Sequence, residues 1–194
     1  MSDDLAGRML DWKDRKETLG DQAAAAMFCL PQEGPDDPRP ILRRLVQEEE
    51  TFAELRTGEP TIMTVFRCYP LARQGKSILG QMALPQWQGS MGPLAVWLLA
   101  KTCGGVVPDY IMILDQDWWD QASATRREAL VFHELCHCAH ARDKDGELRF
   151  TDEGRPVWGI AAHDVEEFNA VVEKYGAWTL DLVMFLDAAK RGVR

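Results

Sequence analysis

The apolar residues of the chain recur with periods that predict both helices and strands. From Ile41 to Leu55 they follow the period of an amphipathic helix, which Gly58 can end in the left-handed conformation. Two later segments, Thr61–Tyr69 and Ser77–Leu84, are rich in residues that suit half-buried strands. Because a short glycine-containing turn separates these two strands, we expect them to form a hairpin.

The middle of the chain continues this alternation. Pro93–Thr102 predicts a buried helix, and Tyr110–Leu114 predicts a short apolar strand. Ser123 or Thr125 can cap a further helix that extends to about Ala141. A strand is therefore expected to lead into a long helix.

Two more helices are predicted towards the C-terminus. A polar, turn-rich stretch covers Arg142–Gly159, helical spacing resumes over Asp164–Tyr175, and a last helix covers Thr179–Lys190. Since helices and strands are interleaved, we predict an α+β fold. We expect a small mixed β-sheet beside the helix at 123–141, with further helices before and after it.

The first forty residues differ in character from the rest of the chain. Residues 3–30 are polar and helix-prone, and residues 31–40 are rich in proline and other helix breakers. We predict an N-terminal helical, acidic arm with a proline-rich linker over residues 1–40, and one domain over residues 41–194. The arm is expected to be peripheral to the core.

The charge balance opposes binding to nucleic acid. The chain has 22 basic and 31 acidic residues, and its net charge of -9 at pH 7 repels phosphate backbones. The acidic residues are scattered, so a solvated surface is a better interpretation than mimicry of DNA. We expect a protein or peptide partner, and the sequence leaves the oligomeric state open.

The cysteines and the N-terminus indicate the compartment. An odd number of cysteines without a C-x-x-C pair is typical of free thiols in a reducing compartment. The chain shows neither a signal sequence nor a run of apolar residues long enough to cross a bilayer, so we expect a cytoplasmic protein. The five cysteines are Cys29, Cys68, Cys103, Cys136 and Cys138.

One short segment contains residues typical of a metal site. His133-Glu134-Leu135-Cys136-His137 is an H-E-x-x-H motif on a predicted helix. Because the helix has 3.6 residues per turn, the two histidines project from one face and can bind one zinc ion. Glu134 lies about 100° around the helix from His133, where it can act as general base on a water activated by the metal. We predict Zn²⁺ as the cofactor and Glu134 as the catalytic residue.

Other residues near the motif are weaker ligand candidates. On a continuous helix, His140 would lie about 10 Å along the axis from His133, too far to share one ion. Cys136 and Cys138 would face about 100° to either side of His137, and we interpret them as small buried residues. The tryptophans are expected mainly in the core rather than in a substrate groove.

A catalytic zinc site needs a third protein ligand and an open fourth position. The downstream candidates are His163, Glu166 and Glu167, and spacing alone does not decide among them. Where a glutamate is the third ligand, as in gluzincins, an aspartate commonly follows four residues later. Ala170 and Val171 occupy those positions here, which weakens a glutamate ligand.

The motif segment, His163–Phe168 and Tyr175-Gly176 together resemble the metallopeptidases found in phages and prophages, a zincin group related in pattern to SprT-like proteases. The resemblance covers roughly residues 109–178. In SprT-like proteins a third histidine opens a downstream H-G-x-x-[FW] element, and His163 with Phe168 resembles a variant of it. Here Asp164 replaces the glycine, and the aromatic residue comes one position later.

This resemblance implies a zincin-like fold, a peptidase activity and the cytoplasm of a bacterial host. It also implies His163 as the third metal ligand, with Glu167 as the alternative. Many SprT-like proteins carry a cysteine-rich zinc ribbon and a basic DNA-binding region, and this chain has neither. Work on DNA-linked proteins is therefore not implied.

Two functions remain in competition at this point. The first is a zinc-dependent hydrolase that cleaves a peptide or amide bond with Glu134 as general base. The second is a non-catalytic binding protein that uses zinc for folding, such as a phage-encoded inhibitor. The intact Glu134 favours the hydrolase, because a structural site needs only the metal ligands.

Overall fold

The computed structural model describes residues 27–73, 75–163, 165, 172, 176–177 and 179–192. The chain divides into two compact units, residues 1–160 and residues 161–194. The first unit contains a mixed sheet and the helix of the H-E-x-x-H motif, and the second contains one described helix. The predicted α+β class with a small mixed sheet is confirmed.

The main sheet of the first unit has four strands in the order β1-β2-β6-β5. Strands β2 and β6 are parallel, whereas β1 pairs with β2 and β5 pairs with β6 in antiparallel fashion. Two small hairpins, β3-β4 and β7-β8, lie outside this sheet. The strands are β1 Phe28–Cys29, β2 Ile62–Arg67, β3 Ala72–Arg73, β4 Lys76–Ser77, β5 Gly80–Ala83, β6 Tyr110–Asp115, β7 Cys138–His140 and β8 Trp158–Ile160.

The described part of the chain has six α-helices, five of them in the first unit. A single 3-10 turn, Glu50–Phe52, separates the first two. The helices are α1 Pro38–Glu48, α2 Ala53–Gly58, α3 Gly92–Thr102, α4 Gln116–Gln121, α5 Ala124–Cys136 and α6 Leu180–Gly192.

The core lies between β6 and α5. Along β6 every second side chain is fully buried, namely those of Tyr110, Met112 and Leu114. Val131 and Leu135, one turn apart on α5, are also fully buried. The buried side chains recur every second residue in the strand and every fourth residue in the helix. These are the periods from which the strand and the helix were predicted.

The predicted hairpin between Thr61–Tyr69 and Ser77–Leu84 is wrong. The two segments do form strands β2 and β5, but β6 lies between them and pairs with both. The later strand Tyr110–Asp115 has the most buried apolar side chains of the sheet, and it therefore occupies a central position. The turn near Gly75 connects only the short strands β3 and β4.

The predicted helix over residues 41–55 is interrupted. Helix α1 begins at Pro38 and ends at Glu48, because the guanidinium of Arg56 donates hydrogen bonds to the carbonyls of Val46, Gln47 and Glu49. Those bonds satisfy carbonyls that a continuing helix would use. The left-handed residue that ends α2 is Glu59, with a φ of 48°, rather than the expected Gly58.

Two further helix predictions need correction. Helix α3 occupies its predicted position, but it is not buried: Leu94, Trp97 and Leu98 are 43–54% exposed. Helix α5 ends at Cys136 rather than near Ala141, because the chain turns directly into strand β7.

The segment before Pro40 packs with the sheet instead of standing apart from it. Phe28–Cys29 pairs with β2 as an edge strand. The indole of Trp119 donates to the carbonyl of Asp36 at 2.8 Å, and Asp37 caps α1. Residues 1–26 lie outside the described residues, so the predicted boundary at residue 40 stays a prediction, but residues 28–40 are not a free linker.

The last predicted helix is confirmed as α6, and the helix predicted over Asp164–Tyr175 lies almost entirely outside the described residues. None of the five cysteines, all of which are described residues, is in a disulfide bond. None of the described helices is long and apolar enough to cross a membrane.

Candidate metal centre

Helix α5 places the two motif histidines on one face. Ser123 caps the helix by accepting a hydrogen bond from the backbone amide of Arg126, as predicted. The imidazole rings of His133 and His137, one turn apart, have centroids 5.1 Å apart and lie edge to face. His133 is exposed and His137 half-buried. The two rings are therefore neighbours, as the helical spacing predicted. That they bind a metal ion stays a prediction.

The side chain of Glu134, the residue after His133, lies against Gly80 on the edge strand β5. Its side chain is only 2% exposed. A Cβ atom at Gly80 would lie 2.8 Å from the Cδ of Glu134, so the carboxylate occupies space that only a glycine leaves free. Oε2 has no hydrogen-bond partner within the described part of the chain. A buried carboxylate oxygen without a hydrogen-bond partner indicates that a further polar group binds beside it.

Burial also changes the acidity of Glu134. Desolvation raises the pKa of its carboxyl group to about 7, and His137 and the backbone amide of Met82 oppose part of that rise. A group with this pKa can exchange a proton near neutral pH.

The edge strand β5 adjoins this carboxylate. The amide of Asp115 on β6 donates to the carbonyl of Leu79, so the backbone groups of Gly80 and Met82 face away from β6. Both of these residues are close to Glu134. The general-base candidate therefore lies at the outer edge of the sheet.

The hairpin β7-β8 fixes the chain that follows the motif. Cys138 pairs with Ile160, directly after His137. The hydroxyl of Tyr110 accepts from the amide of Ala139 at 3.1 Å and donates to the carbonyl of Gly159 at 2.8 Å. The core strand β6 therefore holds the chain segment that continues towards His163.

His140 belongs to this hairpin rather than to the helix. Its Nε2 lies 2.7 Å from the carbonyl oxygen of Arg149, and its ring packs against Phe150 and Trp158. The helical distance used to exclude His140 as a ligand does not apply, because the helix has already ended. The exclusion of His140 as a metal ligand therefore stays a prediction.

The two cysteines beside His137 have different environments. Burial raises the pKa of the Cys138 thiol to about 12, so it stays protonated as a small, partly buried side chain. Cys136 is exposed, and the prediction that it is buried is wrong. The cause is again the end of the helix, which places Cys136 in its last, outward-facing position.

Of the three candidates for the third metal ligand, His163 is the one that lies in the described residues. His163 is the third residue of the second unit and is exposed. Glu166 and Glu167, the alternatives, lie outside the described residues. The choice of third ligand therefore stays a prediction.

Sequence reasoning did not identify Gly80 and Met82 as part of the site. The available signal was a glycine inside a strand-like segment, which often marks the close approach of another group. Nothing in the sequence indicated that Glu134 was that group, because 54 residues separate it from Gly80 along the chain.

Comparison with known proteins gives one match. A family model described as "Putative phage metallopeptidase" matches residues 32–190. No curated protein and no solved structure matches the chain.

Proposed function

This chain belongs to the phage metallopeptidase family, and from that premise we propose that it is a zinc-dependent peptidase of the zincin type with Glu134 as general base. A metal-dependent peptidase is what family membership supports. The choice of zinc, the zincin type and the roles of individual residues are our additions. The observation that carries them is the buried Glu134 carboxylate, with one oxygen lacking a partner among the described residues, between His133 in the helix and His137 at its C-cap in the sequence.

The side chains fit a zinc ion. We assign His133 and His137 as metal ligands from the motif, with His163 as the third ligand, and imidazole nitrogens suit zinc. Three imidazoles leave a fourth position open, as a catalytic site requires. The register of β7 and β8 places Ile160 opposite Cys138, and His163 follows only three residues later. Three residues of chain span at most about 10 Å, so the tether to Ile160 is short.

The chemistry divides between the metal and Glu134. A zinc ion held by these histidines would supply a Lewis acid for the scissile carbonyl and would lower the pKa of the attacking water. Glu134 takes a proton from that water and returns it to the nitrogen of the leaving amine. In the metal-free protein burial raises the pKa of this carboxyl group to about 7, so its surroundings disfavour the ionised form and promote return of the proton. Gly80 positions this carboxylate, since any side chain there would displace it.

The edge of β5 provides a place for an extended substrate. The amide of Met82 is already bonded to Glu134. The other outward-facing backbone groups of β5, namely the amide and carbonyl of Gly80 and the carbonyl of Met82, can pair with a peptide strand, which would then lie beside Glu134. Such pairing recognises the backbone of a peptide independently of its side chains. We therefore propose a protein or peptide substrate bound in an extended conformation.

The test combines metal analysis with an unbiased cleavage profile. Protein purified without added metal is analysed for bound zinc and incubated with a mixture of peptides before chelation, after chelation and after readdition of zinc. We expect bound zinc and cleavage that is lost with the chelator and restored by the metal. Zinc without cleavage would instead favour the non-catalytic binding protein, and cleavage that survives metal removal would refute the proposal.

A further inference from the structure

A cavity of about 750 Å³ lies in the first unit, away from the motif histidines. It is bounded by the residues after β5, by the loop before β6 and by the arm that leads into β8. Its walls are mainly apolar and come from Leu84, Pro85, Val106, Val107, Val157 and Trp158.

The indole of Trp158 forms a fixed wall of this cavity. It is 9% exposed and packs against Tyr110 and His140, with ring centroids 6.1 and 5.7 Å away. A Cβ atom at Gly58 would lie 2.6 Å from this indole, so the glycine is needed for the indole to occupy its place. This wall of the cavity is therefore formed by a packed side chain.

The cavity continues the edge strand that adjoins Glu134. Met82 contributes to the environment of Glu134, and Leu84, two residues further along the chain, lines the cavity. Two residues of extended chain span about 7 Å. A peptide lying along β5 with its scissile bond at Glu134 would bring a side chain two or three residues away to the mouth of the cavity.

The charges at the rim do not select a charged side chain. The Asp109 carboxylate already accepts hydrogen bonds from the backbone amide and the hydroxyl of Thr61, at 2.7 and 2.8 Å. The two other charged rim residues, Glu59 and Arg155, are exposed and of opposite sign. The rim therefore carries two carboxylates and one guanidinium, and the apolar walls below it favour a large apolar side chain.

We propose that this cavity is a specificity pocket, which receives a large apolar side chain two or three residues from the cleaved bond. The proposal rests on the proposed peptidase function, because it takes the bond to be cleaved beside Glu134. It adds a preference that neither the H-E-x-x-H motif nor the family match contains.

Cleavage specificity provides the first test. Peptides that differ only by phenylalanine or alanine at each of the three positions on either side of the cleaved bond are compared by kcat/KM. We expect phenylalanine to be favoured at least about tenfold at a position two or three residues from that bond, as burial of a large apolar group implies. Cleavage without such a preference would overturn the pocket and leave the peptidase function intact.

A matched pair of variants locates the preference in the cavity. Val106 is 60% exposed at the cavity, whereas Val183 is 39% exposed on α6 and does not line it. In Val106→Asp the ratio of kcat/KM for the phenylalanine over the alanine peptide should fall towards one, and in Val183→Asp it should stay as in the parent. An unchanged ratio in Val106→Asp would place the preference elsewhere.

A binding measurement tests the pocket even if no cleavage is found. Zinc-loaded Glu134→Gln protein is titrated with an acetylated hexapeptide amide containing one phenylalanine or, in the control, alanine. The methyl resonances of Val106, Val107 and Val157 should shift with the first peptide and much less with the second. Equal shifts, or none, would overturn the pocket, whereas absence of cleavage in the parent protein would count against the proposed function alone.

Discussion

In the absence of metal, the free energy of unfolding of Glu134→Gln should exceed that of the parent protein by an amount that grows as the pH rises. Burial raises the pKa of this carboxyl group from the ordinary 4.5 to about 7. Because the ionised form is disfavoured in the folded state, the parent protein loses stability as pH rises through this interval. Glutamine has the same shape and no charge, so its contribution does not change with pH.

The size of the effect follows from the two pKa values. Each pH unit between 4.5 and about 7 corresponds to about 1.4 kcal/mol, which gives a total of about 3 kcal/mol at alkaline pH. Part of this cost is already present at pH 5, since the unfolded chain ionises from pH 4.5 upwards. Between pH 5 and pH 8 the stability of Glu134→Gln relative to the parent should therefore rise by about 2 to 3 kcal/mol.

The assay is urea unfolding of both proteins in the presence of chelator at pH 5 and pH 8. Using the difference between the two pH values removes any constant cost of burying the amide. Glu54→Gln is the matched control, because Glu54 is exposed, and its relative stability should change little. A Glu134→Gln difference that is the same at both pH values would show that the carboxyl group is not buried as described.

Three further predictions concern the metal, the glycine and the N-terminal segment. His163→Ala should lose tight zinc and Glu167→Ala should retain it, as measured by metal content after dialysis; the reverse pattern would refute His163 as ligand. Gly80→Ala should cost about 1–3 kcal/mol by overpacking, measured by urea unfolding, and the cost should shrink in a Glu134→Ala background; an equal cost in both would refute the close approach. Deleting residues 1–40 should abolish or strongly lower cooperative melting, because this removes β1 and the cap of α1; unchanged melting of that truncation would contradict the packing described here.

Local patterns predicted the elements of the fold better than their pairing. The strand Tyr110–Asp115 and the helix that carries the motif could be read from their periods, because each buries one face against the other. The position of that strand between β2 and β5 depends on contacts among distant segments. A glycine-containing turn was therefore an insufficient reason to pair β2 with β5.

The end of the motif helix shows a similar limit. Its sequence permits helix to about Ala141, but Tyr110 fixes the chain at Ala139 through its hydroxyl, and strand β7 forms instead. Tertiary contacts here override local propensity. This one difference changed the expected positions of His140 and Cys136.

The chemical residues were more accessible to sequence reasoning than their surroundings. The spacing of His133 and His137 predicted their common face, because it depends only on helix geometry. The close approach of Glu134 to Gly80 and the cavity beside Leu84 depend on the sheet order and could not be predicted.

The central claim is that Glu134 acts chemically and does not serve to hold the metal. Its most direct test is the kcat/KM of the parent and Glu134→Gln proteins, both loaded with the same measured amount of zinc, on the best substrate from the cleavage profile. We predict equal zinc content and a loss of activity on the order of 10²–10⁴-fold in the variant, as expected for removal of a general base. Equal zinc with activity at the parental rate would contradict the role proposed for Glu134.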